Sequence, residues 1–143
     1  MTFDELQALL PNGFHDAFLR ALSIDYVGRR AQMELEVLVG RPDGKDYHER
    51  EAYRRGRLEF SGLLLVSADV PNQEFLAEAI NGLRVDVAPT GDGQFVKHGW
   101  PDEPLPEGAF LRSFYFTDEA NSFLHIAAQD VNWTWLSEPR TIY

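Results

Sequence analysis

Cysteine is absent from this chain. That excludes disulfides, thiolate metal sites and a cysteine nucleophile, and it leans towards a reducing, cytoplasmic setting. Long apolar runs are missing too. The longest, residues 63–66, falls far short of the roughly 20 residues that cross a bilayer, so no membrane association is expected. The opening residues are acidic and lead into no apolar stretch of signal length, so no secretion signal is expected. Histidines at metal-ligand spacing, a phosphate-cradling glycine loop and a Gly-x-Ser-x-Gly elbow are also lacking, and no cofactor is expected. Positive charge is scarce: 13 Lys and Arg stand against 23 Asp and Glu, a formal net charge of −10. Such a surface repels nucleic acid and suits either solubility or a basic partner.

What is present is strand patterning. Over residues 12–39, Ala31, Met33, Leu35, Val37 and Val39 occupy every second position, with Gln32, Glu34 and Glu36 between them. A strand sends successive side chains to opposite faces, so one face is apolar. Leu22, Ile24 and Tyr26 form a matching stripe. Gly28-Arg29-Arg30 reads as the hairpin turn, with Gly28 able to take positive φ.

The remaining elements follow in order. Thr2 and Glu5 form a capping box for a short helix with Phe3, Leu6, Leu9 and Leu10 on one face. Residues 40–46 read as a loop, and 47–56 show no clean period. Residues 57–67 read as a strand in which Gly62 marks a bulge. Phe75, Leu76, Ala79, Ile80 and Leu83 form a helical stripe over 71–81, a cover for one sheet face. Strands are expected at 83–87, 109–117 and 122–136, the last bending at Gln129-Asp130. Residues 94–108, with three prolines and Trp100, read as a long loop. The whole predicts one α+β domain over residues 1–143. It is a single, mostly antiparallel sheet of about six strands, with one helix packed across a face and a short N-terminal helix.

Five residues are candidates for a binding site: His15 and Asp16 where a loop becomes the first strand, His98 and Trp100 in the long loop, and Tyr115 in an aromatic strand. Histidine beside a carboxylate suits acid/base work or metal ligation. The competing reading has Asp16 taking turn N–H groups and His15 packing on an aromatic ring, and neighbouring strand residues face opposite ways. A metal site gathering His15, Asp16, His98 and Asp102 stays open, although no motif calls for one. His125, inside an aromatic strand, reads as a cross-strand or core histidine. Arg50, Arg54, Arg55 and Arg57 cluster, but Glu49, Glu51 and Glu59 interrupt them, which favours a solvated charged face over an anion site. Aromatics make up 13% of the chain and crowd its C-terminal half, more than one covered sheet face needs. A second cover or an exposed aromatic patch for a partner would account for the excess.

The segment Phe14-His15-Asp16-Ala17, followed by Leu22, Ile24-Asp25-Tyr26 and the alternating strand, resembles the start of small bacterial proteins of unknown function. Some of these are grouped with the immunity proteins of toxin systems. The resemblance covers the first quarter of the chain and carries over no catalytic residue. It implies an intracellular, acidic protein that works by binding another protein. Two functional expectations result. The first is a non-enzymatic binding protein of the immunity type, with a basic protein partner and no nucleic acid. The second is a small enzyme or ligand-binding domain with a pocket near the 95–108 loop, using His15 and His98, metal-assisted or not. A homodimer through an exposed edge strand stays open.

Overall fold

Ala31, Met33, Leu35 and Val37 are all buried, as their alternation requires. The computed structural model that shows this describes residues 1–69, 82–88, 105–116 and 121–141. In chain order the elements are α1 (Phe3–Leu9), β1 (Ala17–Asp25), β2 (Arg30–Leu38), α2 (Tyr47–Arg50), β3 (Ala52–Ala68), β4 (Leu83–Ala88), β5 (Phe110–Phe116), β6 (Asn121–Trp135) and β7 (Arg140–Thr141). The strand order is β2-β1-β4-β5-β6-β3-β7, and β2 also pairs with β3. That last pairing closes six antiparallel strands into a barrel, so the single sheet expected from the sequence curls on itself. Closure buries the apolar face of every strand against the others and leaves β7 as a short appendage on β3. The helix expected over 71–81 lies outside the described residues.

The interior is filled by side chains. Leu19, Met33, Leu35, Leu58, Phe60, Val85, Phe114, Leu124, Ile126 and Val131 belong to one buried cluster. The capping box of α1 is formed: Glu5 N–H donates to Thr2 Oγ1 at 3.1 Å, and Thr2 N–H donates to Glu5 Oε2 at 2.8 Å. A helix this short needs tertiary support. It gets that by burying Phe3, whose ring lies 5.7 Å from Phe14, 6.5 Å from Phe60 and 5.6 Å from Phe110. Arg112 stacks over Phe3 and pairs with Asp4 at 2.8 Å.

Several local details differ from the sequence pattern for identifiable reasons. The stripe on β1 changes parity, with Ala17 and Leu19 inward and then Leu22 and Ile24, because the β1–β2 register slips between Leu19 and Ala21. Tyr26 is not on the apolar stripe; it sits in the turn and is 76% exposed. Arg29, not Gly28, takes the positive φ, at 53°. Gly28 is needed for another reason: its N–H donates to Asp25 Oδ1 at 2.9 Å, and a Cβ there would collide with that carboxylate. The featureless stretch 47–56 divides into α2, capped by Asp46, and the start of β3. Gly62 adopts φ 62°, and the β3–β6 register slips just after it, between Leu63 and Leu65. Across from Gly62, the expected bend at Gln129-Asp130 is a change of face within an unbroken β6. Phe60 and Val131 face inward before it, Leu63 and Ala128 after it.

Candidate functional site

His15 lies in the turn before β1, not on the strand, so the strand rule that separates it from Asp16 does not apply. Asp16 takes φ 55°, which swings its carboxylate back to 3.4 Å from His15 Nε2. Asp86, on the outer face of β4, approaches His15 Nδ1 at 3.1 Å. Tyr115 stands directly across from Asp86 in the β4–β5 ladder. The structure therefore gathers three of the sequence candidates, His15, Asp16 and Tyr115, around a carboxylate the sequence reading passed over. His98, Trp100 and Asp102 lie outside the described residues. The Asp86 hydrogen bond, then the Asp16 charge, push the His15 pKa above its ordinary value. His15 is 67% exposed, so this is an open, cation-favouring surface cluster. Among the described residues no group of three or more His, Asp or Glu side chains is arranged to hold a metal ion.

A concavity among the described residues lies elsewhere, at the end of the barrel where the β1–β2 hairpin turns. It is a cleft of about 630 Å³ lined by side chains of β1, β2, β3 and β6 together with Met1. Two cross-strand rows of polar residues supply most of its wall. One runs Ser23, Gln32, Glu59 and Asn132, the other Asp25, Arg30, Ser61 and Asp130. Glu59, Asp25 and Asp130 make the lining acidic, with Arg30 and the Met1 amine as counter-charges. The amine sits 2.9 Å from Asp130, and that hydrogen bond holds the Asp130 carboxyl below its usual value. None of His15, Asp16 and Tyr115 lines this cleft. The sequence reading missed it because its acids are scattered over residues 25–130 and meet only through ladder register.

The arginine-rich segment also resolves differently from its appearance in sequence. Arg50 donates to Gly44 O, and Arg54 donates to Ser137 O and stacks on Trp135 at 4.3 Å. Only Arg55 and Arg57 share the outer face of β3. Arg55 joins Arg20 and Arg140 around Glu36, a fully buried carboxylate on the outer face of β2. All three approach the same oxygen, Oε1: Arg20 at 3.9 Å, Arg55 at 3.7 Å, and Arg140 through a hydrogen bond. Histidine 125 is a buried cross-strand residue, its Nδ1 2.7 Å from Ser113 Oγ on β5.

Comparison with protein-family models, with curated proteins and with solved structures returns no match to this chain. The functional reading therefore rests on the geometry alone. No helix among the described residues is long and apolar enough to cross a membrane.

Proposed function

We propose that the protein is a non-enzymatic binding protein that recognises a basic protein partner, in the manner of an immunity protein that masks its target. The observation that supports this reading is the acidic cleft. Three carboxylates, Asp25, Glu59 and Asp130, outnumber two cations, Arg30 and the Met1 amine, in one open concavity with hydrogen-bonding Ser23, Gln32, Ser61 and Asn132, on a molecule of net charge −10. Carboxylates in a concave wall focus negative potential, attract lysine and arginine side chains and speed encounter with a basic surface. The interior of the barrel is occupied by its own side chains, so recognition belongs to the outer surface and rim.

The test is capture from cells on immobilised protein, comparing wild type with the double variant Asp25→Asn, Glu59→Gln. Asparagine keeps an oxygen able to accept from Gly28 N–H, so the turn is preserved while the charge goes. The expected result is a basic protein retained at about 20 mM salt, released at about 500 mM, and held roughly tenfold more weakly by the variant, because screening and charge removal act on the same attraction. Retention indifferent to both salt and variant, or no retention at low salt, would reject the reading.

A further inference from the structure

On the outer face of the barrel, arginines from three strands converge on one atom. Arg20 comes from β1, Arg55 from β3 and Arg140 from β7, and all three approach Glu36 Oε1. Register places them there. Glu36 lies opposite Arg55 in the β2–β3 ladder, and Arg140 pairs with Tyr53 on the far edge of β3. Two residues along, Arg57 faces Glu34 across the same ladder at 3.9 Å. These are not the four arginines that cluster in the sequence. Arg50 and Arg54 turn to backbone carbonyls, while Arg20 and Arg140 arrive from distant stretches.

Holding Glu36 does not use what these arginines offer. A carboxylate is best neutralised by a fork, two parallel N–H bonds to its two oxygens. Here Arg140 is the one arginine that hydrogen-bonds the Glu36 side chain, and it does so at Oε1. Arg55 stands at 3.7 Å and Arg20 at 3.9 Å, beyond hydrogen-bond range. Glu36 Oε2 is buried with no hydrogen-bond partner, and so are the Nε atoms of Arg55 and Arg57. In the ion pairs of this face, among the described residues, four guanidinium groups share two carboxylates. The four arginine side chains are 30% to 53% exposed, so the forks are reachable from solvent.

A tetrahedral dianion suits this arrangement better than a second carboxylate. Its several oxygens engage several forks at once, whereas a planar carboxylate engages one fork bidentately. The net charge of −10 disfavours a polynucleotide, which points to a small phosphate-bearing molecule. We propose that Arg55 and Arg140, with Arg57 and Arg20 beside them, bind a phosphate group on the outer face of β2 and β3, as inorganic phosphate or a small phosphomonoester. Glu36 is the pivot beneath the site, keeping together guanidinium groups that would otherwise repel. Gln32 of the acidic cleft stands on the same face of β2, about 14 Å away along the strand. The two sites are separate, and neither reading depends on the other.

The probes are inorganic phosphate, glycerol 3-phosphate and acetate. Each is titrated into the intact protein at matched ionic strength and about pH 7.5, where a phosphomonoester is mostly dianionic. The arginine Cζ and Nε signals are followed by carbon-detected NMR. The expected result is saturable shifts at Arg55 and Arg140, half-complete at about 1 mM phosphate or less, with acetate roughly tenfold weaker. Arg140→Gln and Arg57→Gln should each weaken phosphate binding about tenfold. Arg57→Gln alters only a partly exposed ion pair, so it reports on the site even if Arg140→Gln loosens β7. Whichever of inorganic phosphate and glycerol 3-phosphate saturates at the lower concentration identifies the source of the phosphate group. Shifts that grow alike with phosphate and acetate, without saturation by about 20 mM, would reduce the cluster to a screened surface charge and overturn the proposal. Saturation that neither variant weakens would overturn it too.

Discussion

Two side chains carry most of the unusual electrostatics. His15 is more basic in the folded protein than in an unfolded chain, because Asp86 and Asp16 favour its protonated form. A raised folded pKa gives stability that is fully present below the unfolded value of about 6.5 and is lost as pH rises through the folded one. Denaturation across pH 5 to 9 should show that loss, and His15→Gln should remove this component of the slope. NMR titration of Asp86→Asn should bring the His15 pKa back towards its ordinary value. Glu36 is a carboxylate buried on the outer face of a strand and tolerable there because Arg20, Arg55 and Arg140 surround it. Glu36→Ala should cost about 3 kcal/mol in urea unfolding, since it leaves the arginines without their shared anion. Glu36→Gln should cost less, because its amide oxygen still accepts from Arg140. In sequence, Glu36 looks like any polar member of an alternating strand. Nothing local marks it as buried, because the groups that bury it come from three separate stretches.

Among the elements, β3 is the pivot. Its seventeen residues pair with β2, β6 and β7. Gly56 sits where β3 passes the Trp133 indole, and a Cβ at that position would overlap the ring. Gly56→Ala should therefore destabilise the protein by about 1–3 kcal/mol and alter its tryptophan fluorescence, because Trp133 also stands at right angles to Trp135, 5.2 Å away. The strand periods of β2, β4 and β5, and the capped helix α1, were legible in sequence because each depends on local alternation or local capping. The parity change of β1 at Arg20 and the full length of β3 were not. A bulge makes an apolar pattern look broken, and a charged run such as 52–56 shows no clean period until Trp135, Arg140 and Thr141 are placed beside it.

For the molecule as a whole, an antiparallel sheet of about six strands could be read from the chain, but its closure could not. Closure depends on β2 meeting β3 while β6 reaches back to β3, and alternation gives no sign of which edges meet. The acidic cleft has the same origin: Asp25, Glu59 and Asp130 become neighbours only once register is set. Net charge, by contrast, was visible from the start, and the salt dependence expected of partner capture follows from it together with the placement of those three acids.

The closure of the barrel has a kinetic side as well. Gly56 lies opposite Trp135, a separation of 79 residues along the chain, so the seam between β3 and β6 is among the most non-local contacts in the fold. Loop-closure entropy must be met before that seam returns any energy, which places folding in the slow range typical of β-barrels. On the ribosome, β1, β2 and β3 emerge long before β6 and can form a hairpin sheet with β3 exposed along one side. The nascent chain thus passes through a stage whose longest strand is available to any passing strand, and the late arrival of β6 is what ends that exposure.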